Sequence, residues 1–253
     1  KNNYPKLIIY TSVDQNLKPL WLYYLEDIKA SKVFYVNYSG SLFGYNNPIK
    51  LPIGFKHQSW VNRVELSNKF IKFADEKLVI KPNFIFSKNI YWSDSAYEIE
   101  FSNRTLAIFD HMVFSKYATS VFLDFNEYYN SFTTIKFVND IIKIAIPLKY
   151  KIYLKTKRRS IAYNDPMYIN YLKKIQKDNP HTFFINDSIS PFRLIESSNL
   201  SISFPFSTTG IIGKNLNKKT AFYDPLSKLH YQLYQRQDIS IISSKKNLYE
   251  YLR

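Results

Sequence analysis

Residues 104–253 alternate short apolar runs with stretches of helical periodicity, and this alternation restricts the chain more than any other feature. The runs are TLAIF from Thr105, YKIYL from Tyr150, HTFFI from His181, LSISF from Leu200, TAFY from Thr220 and ISII from Ile239. Between the first two lies EYYNSFTTIKFVNDIIKIA, where Phe132, Ile135, Val138, Ile142 and Ala145 recur at the spacing of one helix face. Asn164-Asp165-Pro166 and Ser190-Pro191 supply N-caps and first-turn prolines for MYINYLKKIQKD and FRLIESS, and a closing helix, SKKNLYEYLR, follows Ser243. Strands that alternate with crossover helices predict an α/β domain, doubly wound, with helices on both faces of a parallel sheet.

Residues 1–103 are less regular. KLIIY at Lys6–Tyr10, PLWLYYLEDIKA at Pro19–Ala30 and KVFYVNY at Lys32–Tyr38 read as one strand-helix-strand unit. A loop cluster with Gly40, Gly44, Asn46, Asn47 and Pro48 follows, then a helix expected over Trp60–Ala74 and a strand over Leu78–Ile80. The reading is a smaller, partial α/β layer with its boundary at residues 95–104. The chain begins at Lys1 rather than methionine, which reads as a fragment or a processed chain.

There is no cysteine, so disulfide scaffolds, thiolate metal sites and thiol nucleophiles are excluded. No apolar run approaches the roughly 20 residues of a membrane helix, and a soluble protein is expected. The formal charge is +15. It points either to phosphate-bearing partners or an anionic membrane surface, or to the Lys- and Asn-rich coding bias of an AT-rich genome.

In a doubly wound sheet, ligands bind beyond the C-terminal ends of the strands. In LSISFPFSTTGIIGKNLNKKTAFYDP the fourth run breaks at Pro205 and passes through Ser207, Thr208 and Thr209 into a helix. With Ser207 as N-cap, the amides of Thr209 and Gly210 would be free beside two hydroxyls at the positive end of the helix, an arrangement that suits a phosphate. Gly210 would let a bulky group approach. The competing reading is that the hydroxyls only cap the helix. Lys155, Lys157, Arg158 and Arg159 end the second run at the same edge, either as phosphate ligands or as a solvated charged loop.

The segment Ser190–Pro225 resembles the C-terminal region of bacterial polysaccharide-biosynthesis proteins that carry a Pro-Phe-Thr-Ser motif. The matching pieces are Pro205-Phe206-Ser207-Thr208, Phe222-Tyr223-Asp224-Pro225, Lys155-Thr156-Lys157-Arg158 and Phe109-Asp110. The hydroxyl order is Ser-Thr where the motif reads Thr-Ser. Lys157-Arg158 stand where sialyltransferase relatives have His-Pro. The resemblance implies a glycosyltransferase of the GT-B architecture, with a Rossmann-like domain at 104–253 facing a smaller α/β acceptor-side domain at 1–103. The proteins it resembles are distant relatives of capsule Kdo transferases and bacterial sialyltransferases.

The same resemblance implies a nucleotide-sugar donor, contacted by Lys155, Lys157, Arg158, Pro205, Phe206, Ser207, Thr208, Thr209, Gly210, Tyr223 and Asp224. It implies a glycan or lipid-linked acceptor as well. The expected setting is the cytoplasm, with peripheral contact to the inner face of an anionic membrane. Helix-start amides and cations can neutralise a leaving nucleotide without a metal. The chain holds no Asp-x-Asp, and His57, His111, His181 and His230 show no ligand spacing, so neither a metal nor a cofactor is expected. Asp14 and Asp110 are the candidate catalytic carboxylates, with a turn role for Asp14 and a capping role for Asp110 as alternatives. A polyol-phosphate transferase of the teichoic-acid polymerase type is the competing enzyme. A basic module for nucleic acid or anionic lipid is the competing class, although no nucleic-acid motif is present and the charge is dispersed.

Overall fold

The computed structural model describes residues 3–11, 18–36, 59–65, 71–72, 78–87, 104–111, 113, 128, 130–157, 165–186, 189–229 and 239–253. Asp14 and Arg158 lie outside these. The elements of the first region are β1 (Leu7–Tyr10), α1 (Leu20–Asp27), β2 (Lys32–Val36), β3 (Asn62–Glu65) and β4 (Asn83–Phe86). The second holds β5 (Thr105–Phe109), α2 (Ser131–Ala145), β6 (Lys151–Lys155), α3 (Pro166–Asp178), β7 (Thr182–Phe184), α4 (Pro191–Ser197), β8 (Leu200–Ser203), α5 (Thr208–Asn215), β9 (Lys219–Tyr223), β10 (Ser240–Ile242) and α6 (Lys245–Leu252). They fall into two compact units, each with its own sheet.

The second unit carries a six-stranded, all-parallel sheet in the order β10-β9-β8-β5-β6-β7. Read from the other edge and renumbered from β5, this is 3-2-1-4-5-6, the Rossmann order. Alternation divides its side chains between two layers. Leu106, Ile108, Ile152, Leu154, Leu200 and Ile202 pack with Phe137, Val138, Ile141 and Ile142 of α2, Ile175 of α3 and Leu248 of α6. Ala107, Phe109 and Tyr153 meet Leu194 and Ile195 of α4 on the other face. Each such aliphatic burial is worth about 1.5–3 kcal/mol, which is why these strands read as continuous apolar runs.

The starts of α3, α4 and α6 follow their sequence signals, and α2 starts four residues inside the stretch expected to be helical. Asn130, Asp165, Ser190 and Ser244 accept hydrogen bonds from the amides of Thr133, Met167, Phe192 and Asn247. On α2, the buried face is rotated slightly from the one read in the sequence. Phe132 is exposed, while Phe137 and Ile141 join Val138, Ile142 and Ala145 inside.

The first unit is a four-stranded parallel sheet, β1-β2-β3-β4. Ile8, Tyr10, Val33 and Tyr35 pack with Leu22 of α1, and Trp60 stacks between Tyr10 and Tyr35. Two expectations fail here. Of the helix expected over Trp60–Ala74, residues 71–72 are helical and 66–70 and 73–74 lie outside the described residues, but 62–65 form β3, where Arg63 and Glu65 alternate inward as a buried ion pair with Arg63 over the Tyr35 ring. Leu78–Ile80 is no strand; Val79 and Ile80 are exposed, and the strand is NFIF after Pro82. Among the described residues, no helix is long and apolar enough to cross a membrane.

Candidate functional site

In a Rossmann-ordered sheet the strand order reverses between the first and fourth strands, which here are β5 and β8. The crevice beyond their C-terminal ends is the candidate site. Asp110 and His111 leave β5 there, and Phe204 to Ser207 leave β8.

The β8–α5 turn is tightly determined. The Phe204 amide donates to the Phe109 carbonyl at 2.8 Å, continuing the ladder one residue past β8, and the Ser207 amide donates back to the Phe204 carbonyl at 3.3 Å. Phe206 takes φ 62°, the left-handed region that costs a bulky residue energy. Burial offsets that strain, because the Phe206 ring is buried 5.8 Å from the Phe222 ring.

Gly210 has a different reason from the one its sequence context suggests. A Cβ there would stand 2.4 Å from a carbon of the Phe222 ring, so the missing side chain is space already taken by β9, not room for a ligand. Its amide is not free either, since it donates to the Ser207 carbonyl at 3.3 Å.

The hydroxyls form a chain. Ser207 occupies the N-cap position of α5 but makes no side-chain cap bond. Its Oγ lies 2.8 Å from Oγ1 of Thr209, which in turn donates to Oγ of buried Ser203 at 2.8 Å. Ser207, Thr208 and Thr209 are each half-buried. What the residues present at the crevice is thus a helix start with a short run of linked hydroxyls.

The basic segment reaches the same edge from β6, the strand on the other side of β5. Lys155 and Ser203 both stand opposite Phe109 in register, two strand spacings or about 10 Å apart across the sheet. Lys155 is buried and donates to the Asn186 carbonyl at 3.0 Å, bracing the end of β7. The Lys157 amide donates to Oδ1 of Asp110 at 2.6 Å, and the Tyr168 hydroxyl donates to Oδ2. Burial, then the Asp110 charge, holds the Tyr168 hydroxyl far above its ordinary range, so it stays a donor. Asp110 accordingly ties the start of the basic loop to β5 and α3, as a positioning group.

Tyr223 and Asp224 also turn inward. Tyr223 donates to Oδ2 of Asp140 at 2.9 Å, and buried Asp224 accepts from the Tyr128 hydroxyl at 2.7 Å and from the Leu226 and Leu229 amides at 3.0 and 2.8 Å. These bonds secure the β9 end and the loop after it. A model of the polysaccharide biosynthesis PFTS motif protein family matches residues 3–252.

The chain belongs to the PFTS motif family. Pro205-Phe206-Ser207-Thr208, the segment that resembles the Pro-Phe-Thr-Ser motif, forms the strained turn at the switch point. No curated protein matches it in sequence. Among solved structures it is similar to the KpsC beta Kdo 2,4 transferase of Thermosulfurimonas dismutans, at 14% identity and TM-score 0.33 over 68% of this chain and 49% of that one. It is also similar to a mutant O-GlcNAc transferase of Thermobaculum terrenum, at 10% identity and TM-score 0.39 over 97% of this chain and 59% of that one. The PFTS protein therefore spans about half the length of these structures.

Sequence reading missed the buried Asp140 cluster. Lys136, Lys245 and Tyr223 all converge on this carboxylate, at 2.7, 2.8 and 2.9 Å. Burial pushes it up, but the hydrogen bonds from Lys136, Lys245 and Tyr223 outweigh that and hold it below the ordinary aspartate value. Only the Lys136–Asp140 spacing of four was available in the sequence as a signal. Among the described residues, no group of three or more His, Asp or Glu could hold a metal ion.

Proposed function

We propose that this protein is a glycosyltransferase that moves a sugar from a nucleotide-sugar donor to a surface-polysaccharide or lipid-linked glycan acceptor. What supports the reading is that Pro205-Phe206-Ser207-Thr208, the segment that resembles the Pro-Phe-Thr-Ser motif, leaves β8 at the switch point of a Rossmann-ordered sheet in a chain of this family. In this proposal the donor phosphates lie over the start of α5, on the hydroxyls of Ser207 and Thr208, with Lys157 and Arg158 adding charge from the β6 loop. The growing charge on the departing nucleotide is then met by fixed dipoles and cations, with no metal required. The second unit is the donor domain, and the first supplies the acceptor side with Asp14 as the candidate base. The proposed setting is the cytoplasm at the inner face of the membrane.

A thermal-shift screen of the full chain against UDP, GDP, CMP and CDP tests the reading. Saturation at about 100 times Kd stabilises a fold by about 2.7 kcal/mol, well within reach of such a screen. Replacing Ser207 and Thr208 together by alanine should weaken the binding nucleotide by one to two orders of magnitude per engaged hydroxyl, because a hydrogen bond to a charged group is worth about 1.5–3 kcal/mol. A parent that is stabilised by none of the four overturns the proposal. Binding that is untouched by the double substitution moves the phosphates away from the motif turn.

A further inference from the structure

Resting on the membrane setting proposed above, we infer that α1 is the docking surface for an anionic lipid membrane. At 100° per residue, Leu20, Tyr24, Ile28 and Trp21 fall within one arc about 100° wide, which borders buried Leu25 at one edge and lies across the helix from Leu22. Leu22 and Leu25 are buried, Leu22 against Val33, Tyr35 and Trp60. The four residues of the arc are 85%, 56%, 42% and 52% exposed, in the same order. No charged residue lies within the arc. A helix with one apolar stripe in the core and a second in solvent needs a second apolar partner.

The chemistry of the stripe and its rim selects the partner. Tryptophan and tyrosine pair an apolar ring with a polar atom, the combination that settles at the level of lipid headgroups. Lys29 follows Ile28 directly, beyond the C-terminus of α1, and the Lys32 amide donates to the Lys6 carbonyl at 2.9 Å, so the chain brings these two lysines together. Lys6, Lys29 and Lys32 are all exposed. Of the two acids on α1, Glu26 is paired with Lys18, which leaves Asp27 against three cations. An apolar stripe ending in a basic cluster, in a chain of net charge +15, complements an anionic bilayer.

A second protein surface fits less well. α1 has eight residues, about 12 Å of helix about 10 Å across, so the face it presents covers on the order of 100 Å², short of the roughly 800 Å² per partner that a stable protein interface buries. Lipid adsorption has no such minimum, since each inserted ring and each nearby cation adds to the affinity.

The test is co-sedimentation of the full chain with phosphatidylcholine vesicles, with and without phosphatidylglycerol, read together with tryptophan emission. Trp21 is an exposed reporter and Trp60 is buried, and the third tryptophan, Trp92, which lies outside the described residues, is replaced by phenylalanine for the emission measurement. The parent should bind the phosphatidylglycerol vesicles, release with salt, shift its emission to the blue and be quenched by brominated lipid. The double variant Trp21→Ser with Tyr24→Ser should bind about tenfold more weakly at an unchanged melting temperature, since both side chains are exposed. Lys29→Glu should cost at least roughly fivefold on anionic vesicles and nothing on neutral ones.

The inference is overturned by equal binding to both vesicle types, by no binding to either, or by binding that the double variant leaves intact. It is equally overturned if sedimentation velocity shows a dimer that the double variant abolishes, which would make a second copy the occupant. None of these readouts depends on nucleotide binding.

Discussion

The two parallel sheets follow one plan and are covered differently. In β5 all five residues are buried, and in β8 all four. In β1 and β4 exposure alternates along the strand. The second sheet has helices against both faces, whereas in the first the described residues put α1 against one face, and Leu7, Ile9 and Ile85 are exposed on the other. A strand isoleucine therefore has no fixed worth. Its contribution depends on whether something packs on its side of the sheet.

The largest expected effect tests that contrast directly. Ile202→Ala, in the centre of the second sheet, should cost about 2–5 kcal/mol in urea unfolding, from lost transfer energy and the cavity left behind. Ile9→Ala should stay within about 0.5 kcal/mol, as exposed substitutions do. A large loss at Ile9 would mean that its face of the first sheet is covered in solution.

The next effect sharpens the comparison by overfilling instead of emptying. Gly210→Ala places a methyl group into the Phe222 ring and should cost about 1–3 kcal/mol. A smaller side chain at the facing position should relieve it, so Phe222→Leu combined with Gly210→Ala should cost less than the sum of the two. Additive losses would show that Gly210 matters for a reason other than the ring.

The contrast also explains what the sequence disclosed. The central strands β5 and β6 of the second unit were legible because burial on both faces leaves a near-continuous apolar run, and α3 and α4 because Asp165 and Ser190 mark their starts. β3 was not legible. Its inward positions are Arg63 and Glu65, whose mutual neutralisation in the core is invisible to a hydrophobicity pattern.

The candidate site divides along similar lines. The Pro205–Thr208 turn was found because hydroxyls after a broken strand are a local signal. The inward bonds of Asp110, Tyr223 and Asp224 were not, because Tyr168, Asp140 and Tyr128, their partners, lie 58, 83 and 96 residues away.

A third test concerns pH. The Asp140 carboxyl is held below its ordinary value of 3.8, so the unfolded chain takes up its proton at a higher pH than the folded one. The stabilisation is present above 3.8 and is lost as pH falls below it through the folded value. Asp140→Asn should cost about 1 kcal/mol near neutrality, the lysine partners being partly exposed, and the cost should shrink as the pH is lowered through this window. Denaturation curves from pH 7 down to about 3 would show it. A difference that stays constant with pH would assign the role of Asp140 to packing.

The smallest expected effect is the most informative about the motif. Ser190 and Ser244 cap α4 and α6 through their side chains, accepting from Phe192 and Asn247 at 3.2 and 3.1 Å. Removing either hydroxyl should cost about 1 kcal/mol. Ser207 stands at the same position of α5 but turns its hydroxyl to Thr209, so it does no capping that alanine would lose. Ser207→Ala should therefore move stability by only a few tenths of a kcal/mol, the scale of a half-buried hydroxyl pair that water can replace. Measured beside Ser244→Ala in the same urea titration, the two would separate cleanly. A Ser207 loss as large as that at Ser244 would return the hydroxyl to a capping role and remove the reason to expect it at a phosphate. A negligible loss, joined to weakened nucleotide binding in the same variant, would leave ligand contact as the work this side chain does.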